Sequence, residues 1–144
     1  MNLEDQVASY DLSKKLKELG VAQESLFYYY QGFAGPFVDF YEQGHVHQSY
    51  ANPQKICSAF TGTELGEMLP SKLINSLTTA YFEIIKTDRW LLAYVISDDL
   101  PPIVSVIDDN ECDGRAKILI YLIENNLIDN KVKDGCKQAF AKPS

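Results

Sequence analysis

The chain has 144 residues, of which 46% are hydrophobic and 23% charged, and this is enough for one domain with its own core. Its net charge of −7 disfavours a protein that binds nucleic acid by neutralising phosphates. No apolar run approaches the ~18 residues that cross a bilayer, and the start MNLEDQ lacks the features of a signal peptide. Cys57, Cys112 and Cys136 are odd in number and widely spaced, which predicts reduced thiols. We therefore expect a cytoplasmic protein without membrane contact.

The first third of the chain predicts a helix followed by a β-hairpin. Leucines at helical spacing predict a helix from about Ser9 to Leu19, with Ser9 as N-cap and a further turn of helix around Leu3 to Val7. The aromatic runs Leu26 to Tyr30 and Phe37 to Tyr41 predict a hairpin with a slightly long, glycine-containing loop. Val46 to Tyr50 predicts a third strand.

Residues Thr61 to Pro70 give the clearest local signal. Thr61 and Glu64 are spaced for a capping box, in which each side chain accepts a hydrogen bond from the other residue's backbone N–H. Phe60 and Leu65 stand at the positions of a hydrophobic staple, and Pro70 ends the helix. The sequence therefore predicts a two-turn helix here.

A second hairpin, a short strand and a long helix complete the predicted fold. Tyr81 to Lys86 and Trp90 to Ile96 predict the hairpin, and Ile103 to Ile107 predicts the strand. Arg115 to Ile128 is apolar around most of its circumference, so we expect a buried core helix, capped by Asn110 or Asp109. The stripe predicted to face the core is Ala116, Leu119, Ile120, Ile123 and Leu127.

These elements predict an α+β fold. We expect one antiparallel sheet of about five strands, made of two hairpins and a short strand, packed against the long C-terminal helix and one or two shorter helices. Residues 1–130 are predicted to form a single domain, and residues 131–144 a polar tail or terminal turn.

Three segments stand out together: LKELGVAQESLFY (Leu16 to Tyr28), ICSAFTGTELGEMLP (Ile56 to Pro70) and RAKILIYLIENNLI (Arg115 to Ile128). In this order and spacing they resemble a family of small uncharacterised proteins of bacterial phages, prophages and other mobile elements. The resemblance covers most of the chain, and the second segment is its most specific part. It implies a cytosolic accessory protein, and it carries over no catalytic residue.

Two groups of residues exceed what folding requires and are candidates for binding a partner. The acids Asp98, Asp99, Asp108 and Asp109, with Glu111 and Asp113 close by, form a negative patch if they lie at one end of the sheet, although solvated loops that keep the protein soluble are the simpler explanation. The aromatic residues of the first hairpin outnumber what one sheet face buries. They either cover a second layer or form an exposed patch for a partner or a second copy, and they include Tyr28, Tyr30, Phe33, Phe37 and Tyr41.

The remaining motifs carry simpler explanations. Asp109 to Gly114 is similar to the opening of a calcium loop, but Ile120 stands where the bidentate glutamate belongs. His45, His47 and Cys57 could begin a zinc site, although solvated histidines and a buried cysteine explain them too. Leu16 to Tyr30 is spaced like a helix-turn-helix, but it lacks the basic residues that DNA contacts need.

Taken together, the sequence predicts a non-enzymatic acidic protein that binds a protein partner, which we expect to be basic. An inhibitor of a basic nucleic-acid-binding host protein, such as a defence nuclease, fits this charge. The alternative is a small enzyme or a small-molecule-binding domain, and a DNA-binding regulator ranks below both. No glycine-rich phosphate loop, nucleophile motif or metal-ligand spacing is present, so we predict neither catalytic residues nor a cofactor.

Overall fold

The computed structural model describes residues 2–40 and 54–128. Over these residues the helices are a 3-10 helix (Leu3–Gln6), α1 (Tyr10–Glu18), α2 (Gly62–Met68) and α3 (Glu111–Glu124). The strands are β1 (Phe27–Gly32), β2 (Gly35–Phe40), β3 (Gln54–Ala59), β4 (Lys72–Ile74), β5 (Thr79–Lys86), β6 (Trp90–Val95) and β7 (Val104–Asp108). The predicted α+β class is confirmed.

The strands form two antiparallel sheets, so the prediction of a single sheet was wrong. The first sheet has the order β2-β1-β3 and the second the order β4-β5-β6-β7. The strands are divided because the chain leaves the first sheet after β3 and enters α2 at its N-cap, Thr61. The second hairpin, which follows α2, therefore does not pair with the first. Each sheet buries its own apolar face, one in a small cluster around Val7 and Tyr29, the other in the main core around α3.

Strands β3 and β4 carry weak sequence signals and were not predicted. β3 (QKICSA) begins with two polar residues and has a single β-branched residue, and β4 (KLI) is only three residues long. The predicted strand Val46 to Tyr50 lies outside the described residues.

Both predicted hairpins are confirmed, but the loop of the first is shorter than predicted. Gly32 pairs with Gly35, so two residues suffice for the turn. Gly35 has a φ of +118°, a conformation that glycine adopts without steric cost. In the second hairpin Lys86 pairs with Trp90 across a three-residue turn.

Helix α1 and the 3-10 helix lie where the sequence predicts them. Ser9 occupies the N-cap position of α1, but its side chain makes no capping hydrogen bond. Its backbone N–H donates instead to Oδ1 of Asp113 at 2.7 Å, which joins the start of α1 to the start of α3. Gly20 follows α1 with a φ of +89°.

The predicted capping box of α2 is confirmed. The backbone N–H of Glu64 donates to Oγ1 of Thr61 at 3.2 Å, and the backbone N–H of Thr61 donates to Oε2 of Glu64 at 2.8 Å. Phe60 and Leu65, the two residues of the predicted staple, are both fully buried.

Helix α3 is the centre of the main core, as predicted. Asn110 caps it, because its Oδ1 accepts the backbone N–H of Asp113 at 3.1 Å. The helix ends at Glu124 and not at Ile128 as predicted, so Leu127, the last residue of the predicted stripe, lies beyond the helix and is 42% exposed. The proposed tail, residues 131–144, lies outside the described residues, and the domain division stays a prediction. The buried residues of α3 are Cys112, Gly114, Ala116, Ile118, Leu119, Ile120, Leu122 and Ile123.

Candidate functional site

The four acids of the predicted patch are divided between opposite ends of the second sheet. Asp98 and Asp99 lie in the loop that leads into β7, whereas Asp108 and Asp109 lie at the far end of that strand. A five-residue strand separates its ends by about 13 Å. The condition for a single patch is therefore not met, because β7 carries the chain from one end of the sheet to the other.

Asp108 is held in an ion pair. Nζ of Lys117 donates to its Oδ2 at 2.5 Å, and the backbone N–H of Asn110 donates to its Oδ1 at 3.0 Å. Burial of this carboxyl raises its pKa, but the hydrogen bond and charge of Lys117 and the bond from Asn110 outweigh burial and lower the pKa below its ordinary value. Asp108 therefore ties β7 to α3 and is not a free surface charge.

Asp109 is the predicted acid that remains accessible beside this pair. Its Oδ1 accepts a hydrogen bond from Nε of Arg89 at 2.6 Å, and its side chain is still 82% exposed. An exposed pair of this kind contributes little to stability, so the Asp109 carboxylate is available to a second cation.

Tyr28 and Tyr30 do not form an exposed patch, because their side chains are 5% and 2% exposed. The hydroxyl of Tyr28 donates to the carbonyl oxygen of Gln23 at 3.1 Å, and Nζ of Lys55 lies 4.3 Å from the centre of its ring. The ring of Tyr30 stacks on that of Phe37, with their centres 5.7 Å apart. Both faces of β1 are therefore covered, which corresponds to the second-layer alternative for Tyr28 and Tyr30.

The other predicted aromatic residues are placed differently. Phe33 is fully exposed at the tip of the first hairpin, and Phe37 is half-buried. Tyr41 lies outside the described residues. Of the five predicted aromatic contacts, Phe33 alone has a fully exposed side chain among the described residues.

An open cleft of about 830 Å³ lies where the 3-10 helix meets the starts of α2, β6 and α3, next to the residue before β1. Asp5, Asp109 and Glu111 contribute carboxylates to its wall, and Leu26 and Trp90 contribute apolar surface. Neither Lys nor Arg is among the described residues that line it. We call this feature the inter-sheet cleft.

Long-range hydrogen bonds fix the walls of the inter-sheet cleft. Nδ2 of Asn110 donates to the carbonyl oxygen of Asp5 at 3.2 Å, and Sγ of Cys112 donates to that of Gln6 at 3.3 Å. The backbone N–H of Leu26 donates to Oε1 of Glu64 at 3.0 Å, which places Leu26 beside α2. The 3-10 helix, α2 and α3 are thus held in register around the opening.

Positive charge lies at the rim of the cleft. Glu111 pairs with Arg115 at 3.6 Å, Asp109 pairs with Arg89, and Nζ of Lys86 lies 5.1 Å from the centre of the Trp90 ring. Asp5 is exposed. The acids of the wall are therefore partly compensated, and they remain open to solvent.

Cys112 lines the cleft as a free thiol. It is 7% exposed and donates to Gln6, and burial raises its pKa, although a bond from the backbone of Gly62 lowers it in part. A thiol with a raised pKa is a poor nucleophile at neutral pH. Its contacts make Cys112 part of the wall.

The other motifs of the sequence are placed as follows. Asn110 and Asp113 of the calcium-like segment are used in capping α3 and binding Ser9. Cys57 is 2% exposed, while His45 and His47 lie outside the described residues. Within residues 2–40 and 54–128, no group of three or more His, Cys, Asp or Glu side chains is placed to hold a metal ion.

The stretch similar to a helix-turn-helix forms a helix followed by a strand. Phe27–Gly32 is β1, so a second helix for the DNA groove is not formed there. Across the described ranges, none of the helices combines the length and apolarity needed to cross a lipid bilayer.

Comparisons of the chain with protein-family models, with curated proteins and with solved structures find no match.

Sequence reasoning identified two cleft acids, Asp109 and Glu111, as members of the acidic run near β7, and it missed Asp5, Leu26 and Trp90. Asp5 comes from the 3-10 helix, Trp90 from the start of β6 and Glu111 from the first turn of α3, and no local pattern connects them. The available signal was the single tryptophan of the chain, placed at the start of a strand and followed by acids at the end of the next strand.

Proposed function

We propose that this chain is a non-enzymatic accessory protein of mobile-element type that binds a basic protein partner in the cytosol. The inter-sheet cleft takes up a lysine- or arginine-containing segment of that partner. The observation that carries this proposal is the placement of Asp5, Asp109 and Glu111 beside Trp90, with no basic side chain in the described lining. A nucleic-acid-binding host protein, such as a defence nuclease, presents segments of this kind.

The lining suits a cation with an apolar stem. Leu26 is 63% exposed and Trp90 is partly exposed, so both offer apolar surface to the methylene groups of lysine or arginine. The carboxylates of Asp5 and Asp109 are exposed and accept charge-assisted hydrogen bonds from the head group. The excess of negative charge also speeds the approach of a basic partner.

The alternative is a small enzyme that uses the same cleft. An activated nucleophile needs an adjacent base, and histidine is the usual one. Cys112 has a raised pKa and donates to a backbone carbonyl, and no histidine lines the cleft among the described residues. These contacts favour binding over nucleophilic catalysis.

The single tryptophan of the chain makes the cleft directly observable, because intrinsic tryptophan fluorescence then comes from Trp90 alone. We expect an arginine-rich peptide to change this fluorescence in a saturable way, with an affinity that falls as salt rises because screening weakens charge attraction. A glutamate-rich peptide of equal length should leave the signal unchanged.

Two double variants that lose the same charge test whether the arginine-rich peptide binds in the inter-sheet cleft. Asp5→Asn with Asp109→Asn removes two exposed carboxylates from the cleft, and we expect about a tenfold weaker affinity, equivalent to about 1.4 kcal/mol. Asp98→Asn with Asp99→Asn removes two exposed carboxylates from the loop at the other end of β7, a strand about 13 Å long, and should bind as the parent does. Equal weakening in both variants would reduce the effect to net charge and would contradict a cleft site.

A further inference from the structure

The turn between β5 and β6 places two of the chain's own cations against the inter-sheet cleft. Nε of Arg89 donates to Oδ1 of Asp109 at 2.6 Å, and Nζ of Lys86 lies 5.1 Å from the centre of the Trp90 ring. Asp109 and Trp90 both line the cleft. An acid and an aromatic ring that suit a partner's cation are therefore each in contact with a cation of the chain itself.

The backbone around Asp109 is fixed although its carboxylate is exposed. Asp109 lies between Asp108, which pairs with Lys117, and Asn110, which caps α3. The backbone N–H of Asn110 also donates to Oδ1 of Asp108 at 3.0 Å, so the chain is held on both sides of Asp109. A carboxylate on such a backbone binds a ligand without the cost of ordering a loop.

The contact between Arg89 and Asp109 uses only part of what each group offers. The bond joins Nε to Oδ1, and among the described residues no donor is hydrogen-bonded to Oδ2. A guanidinium and a carboxylate interact most strongly through two parallel N–H···O bonds, one to each oxygen. The side chains of Arg89 and Asp109 are 54% and 82% exposed, and exposed ion pairs contribute little to stability. Arg89 is therefore weakly held at this carboxylate.

The turn keeps its shape without the guanidinium of Arg89. The backbone N–H of Thr87 donates to the carbonyl oxygen of Arg89 at 3.0 Å, and Nζ of Lys86 donates to another carbonyl oxygen of the turn at 3.1 Å. Lys86 and Trp90 pair at the base of the turn. These contacts leave the guanidinium out, so it can move away from Asp109 while the turn stays in place.

We propose that Asp109 is a guanidinium-binding site, that Arg89 occupies it in the free protein, and that an arginine of the partner displaces Arg89. The partner's guanidinium bonds both oxygens of Asp109 and stacks on the Trp90 ring. Two guanidinium charges on one carboxylate repel each other, so Arg89 withdraws as the partner's arginine binds. This inference rests on the proposed function, and it adds which cation the cleft selects and which residue competes with that cation.

The geometry of the site favours arginine over lysine. An ammonium group is a point charge without the planar fork that bonds both oxygens of a carboxylate, so a lysine gains no geometric advantage over Arg89. A guanidinium gains a second bond, to Oδ2 of Asp109, and a flat contact with Trp90. We expect an arginine-rich peptide to bind the parent about fivefold more tightly than a lysine-rich peptide of equal length and charge.

Arg89→Gln tests the displacement, with Trp90 fluorescence as the readout of peptide binding. The variant removes the competing cation, so we expect the arginine-rich peptide to bind it about two- to fivefold more tightly than it binds the parent. Lys72→Gln is the matched control. It loses the same charge on β4, which pairs with the end of β5 that lies farther from this turn, and it should bind the peptide as the parent does.

A double-mutant cycle separates displacement from a general effect of charge. In an Asp109→Asn background Arg89 has no carboxylate to occupy. Adding Arg89→Gln to Asp109→Asn should therefore keep the affinity for the arginine-rich peptide within about 1.5-fold of that of Asp109→Asn alone. A gain in affinity of equal size with and without the Asp109 carboxylate would show that Arg89 acts through its charge alone, and would overturn the displacement.

The outcomes distinguish this inference from the proposed function. If the parent binds the arginine-rich peptide and Arg89→Gln binds it no more tightly, the proposed function stands and the displacement is wrong. Equal affinity of the parent for the lysine-rich peptide would likewise leave the function in place and overturn the guanidinium site. Binding by Arg89→Gln but not by the parent would support the displacement, since Arg89 then blocks the cleft. If neither protein binds the arginine-rich peptide, the proposed function fails and this inference fails with it.

Discussion

Lys117 donates a hydrogen bond to Asp108 over 2.5 Å, and this ion pair attaches the end of β7 to the exposed side of α3. The Asp108 side chain is 12% exposed and that of Lys117 is 47% exposed, so the pair lies at the boundary of the core. At such a site the partners of the carboxylate offset the cost of burying its charge.

The pH dependence of stability should report this pair. The pKa of Asp108 is lower in the folded chain than the ordinary value of 3.8, so its ionised form stabilises the folded state. That contribution is fully present above pH 3.8 and is lost as the pH falls through the folded-state pKa. We expect Asp108→Asn to lower the urea midpoint at pH 7 and to differ less from the parent near pH 3.

Asp113 provides the contrast for this measurement. Burial raises the pKa of Asp113, although the hydrogen bond from the backbone of Ser9 lowers it in part. Ionisation of Asp113 therefore lowers the stability of the folded state, whereas ionisation of Asp108 raises it. A gap between the parent and Asp108→Asn that grows on acidification would contradict the assignment to Asp108.

Removing the N-cap of α2 should destabilise the fold. Thr61→Ala deletes the oxygen that accepts the backbone N–H of Glu64, and we expect a loss of about 1 kcal/mol in the free energy of unfolding. Thr63→Ala changes an exposed residue of the same helix and should stay within about 0.5 kcal/mol of the parent. Urea titrations with equal midpoints for both variants would show that the cap contributes nothing.

Truncation of a core leucine should cost more than truncation of an exposed one. Leu119 is fully buried in α3, so Leu119→Ala leaves a cavity and should lose about 2–5 kcal/mol. Leu127 is 42% exposed beyond the end of the helix, so Leu127→Ala should lose less than half as much. Denaturant unfolding compares the two variants, and losses of similar size would remove α3 from the centre of the core.

Two thiols should be protected in the folded protein. Burial raises the pKa of Cys57 to about 11, although Lys17 and Lys14 lower it in part, and burial likewise raises the pKa of Cys112. In a Cys136→Ser variant, which leaves only these two cysteines, a disulfide reagent at pH 8 should react slowly with the folded chain. It should react with both thiols in urea, and rapid reaction of the folded variant would contradict their burial.

The sequence predicted correctly those parts of the fold that depend on residues close together in the chain. The capping box at Thr61 and the hairpin before Trp90 depend on residues a few positions apart, and both are present. The number of sheets depends on how the two hairpins dock, which no short pattern encodes. Tyr28 and Tyr30 show the same limit, because the sequence left open whether the aromatic residues of the first hairpin cover a second layer or form an exposed patch, and the fold buries these two.

The candidate site was predictable only in part for a related reason. Asp109 was identified because it belongs to a run of acids near β7. Its neighbours Asp5 and Trp90 are brought to it by contacts between the 3-10 helix, β6 and α3. A sequence pattern reports neighbours along the chain, and this cleft is built from neighbours in space.

The two carboxylate oxygens of Glu64 accept hydrogen bonds from residues at very different distances along the chain. Oε2 accepts the backbone N–H of Thr61, the N-cap of α2, whereas Oε1 accepts the backbone N–H of Leu26, the residue before β1. One carboxylate thus serves both as part of the cap of α2 and as the point at which the residue before β1 is attached to that helix. Replacing Glu64 would therefore remove a local and a long-range hydrogen bond at once.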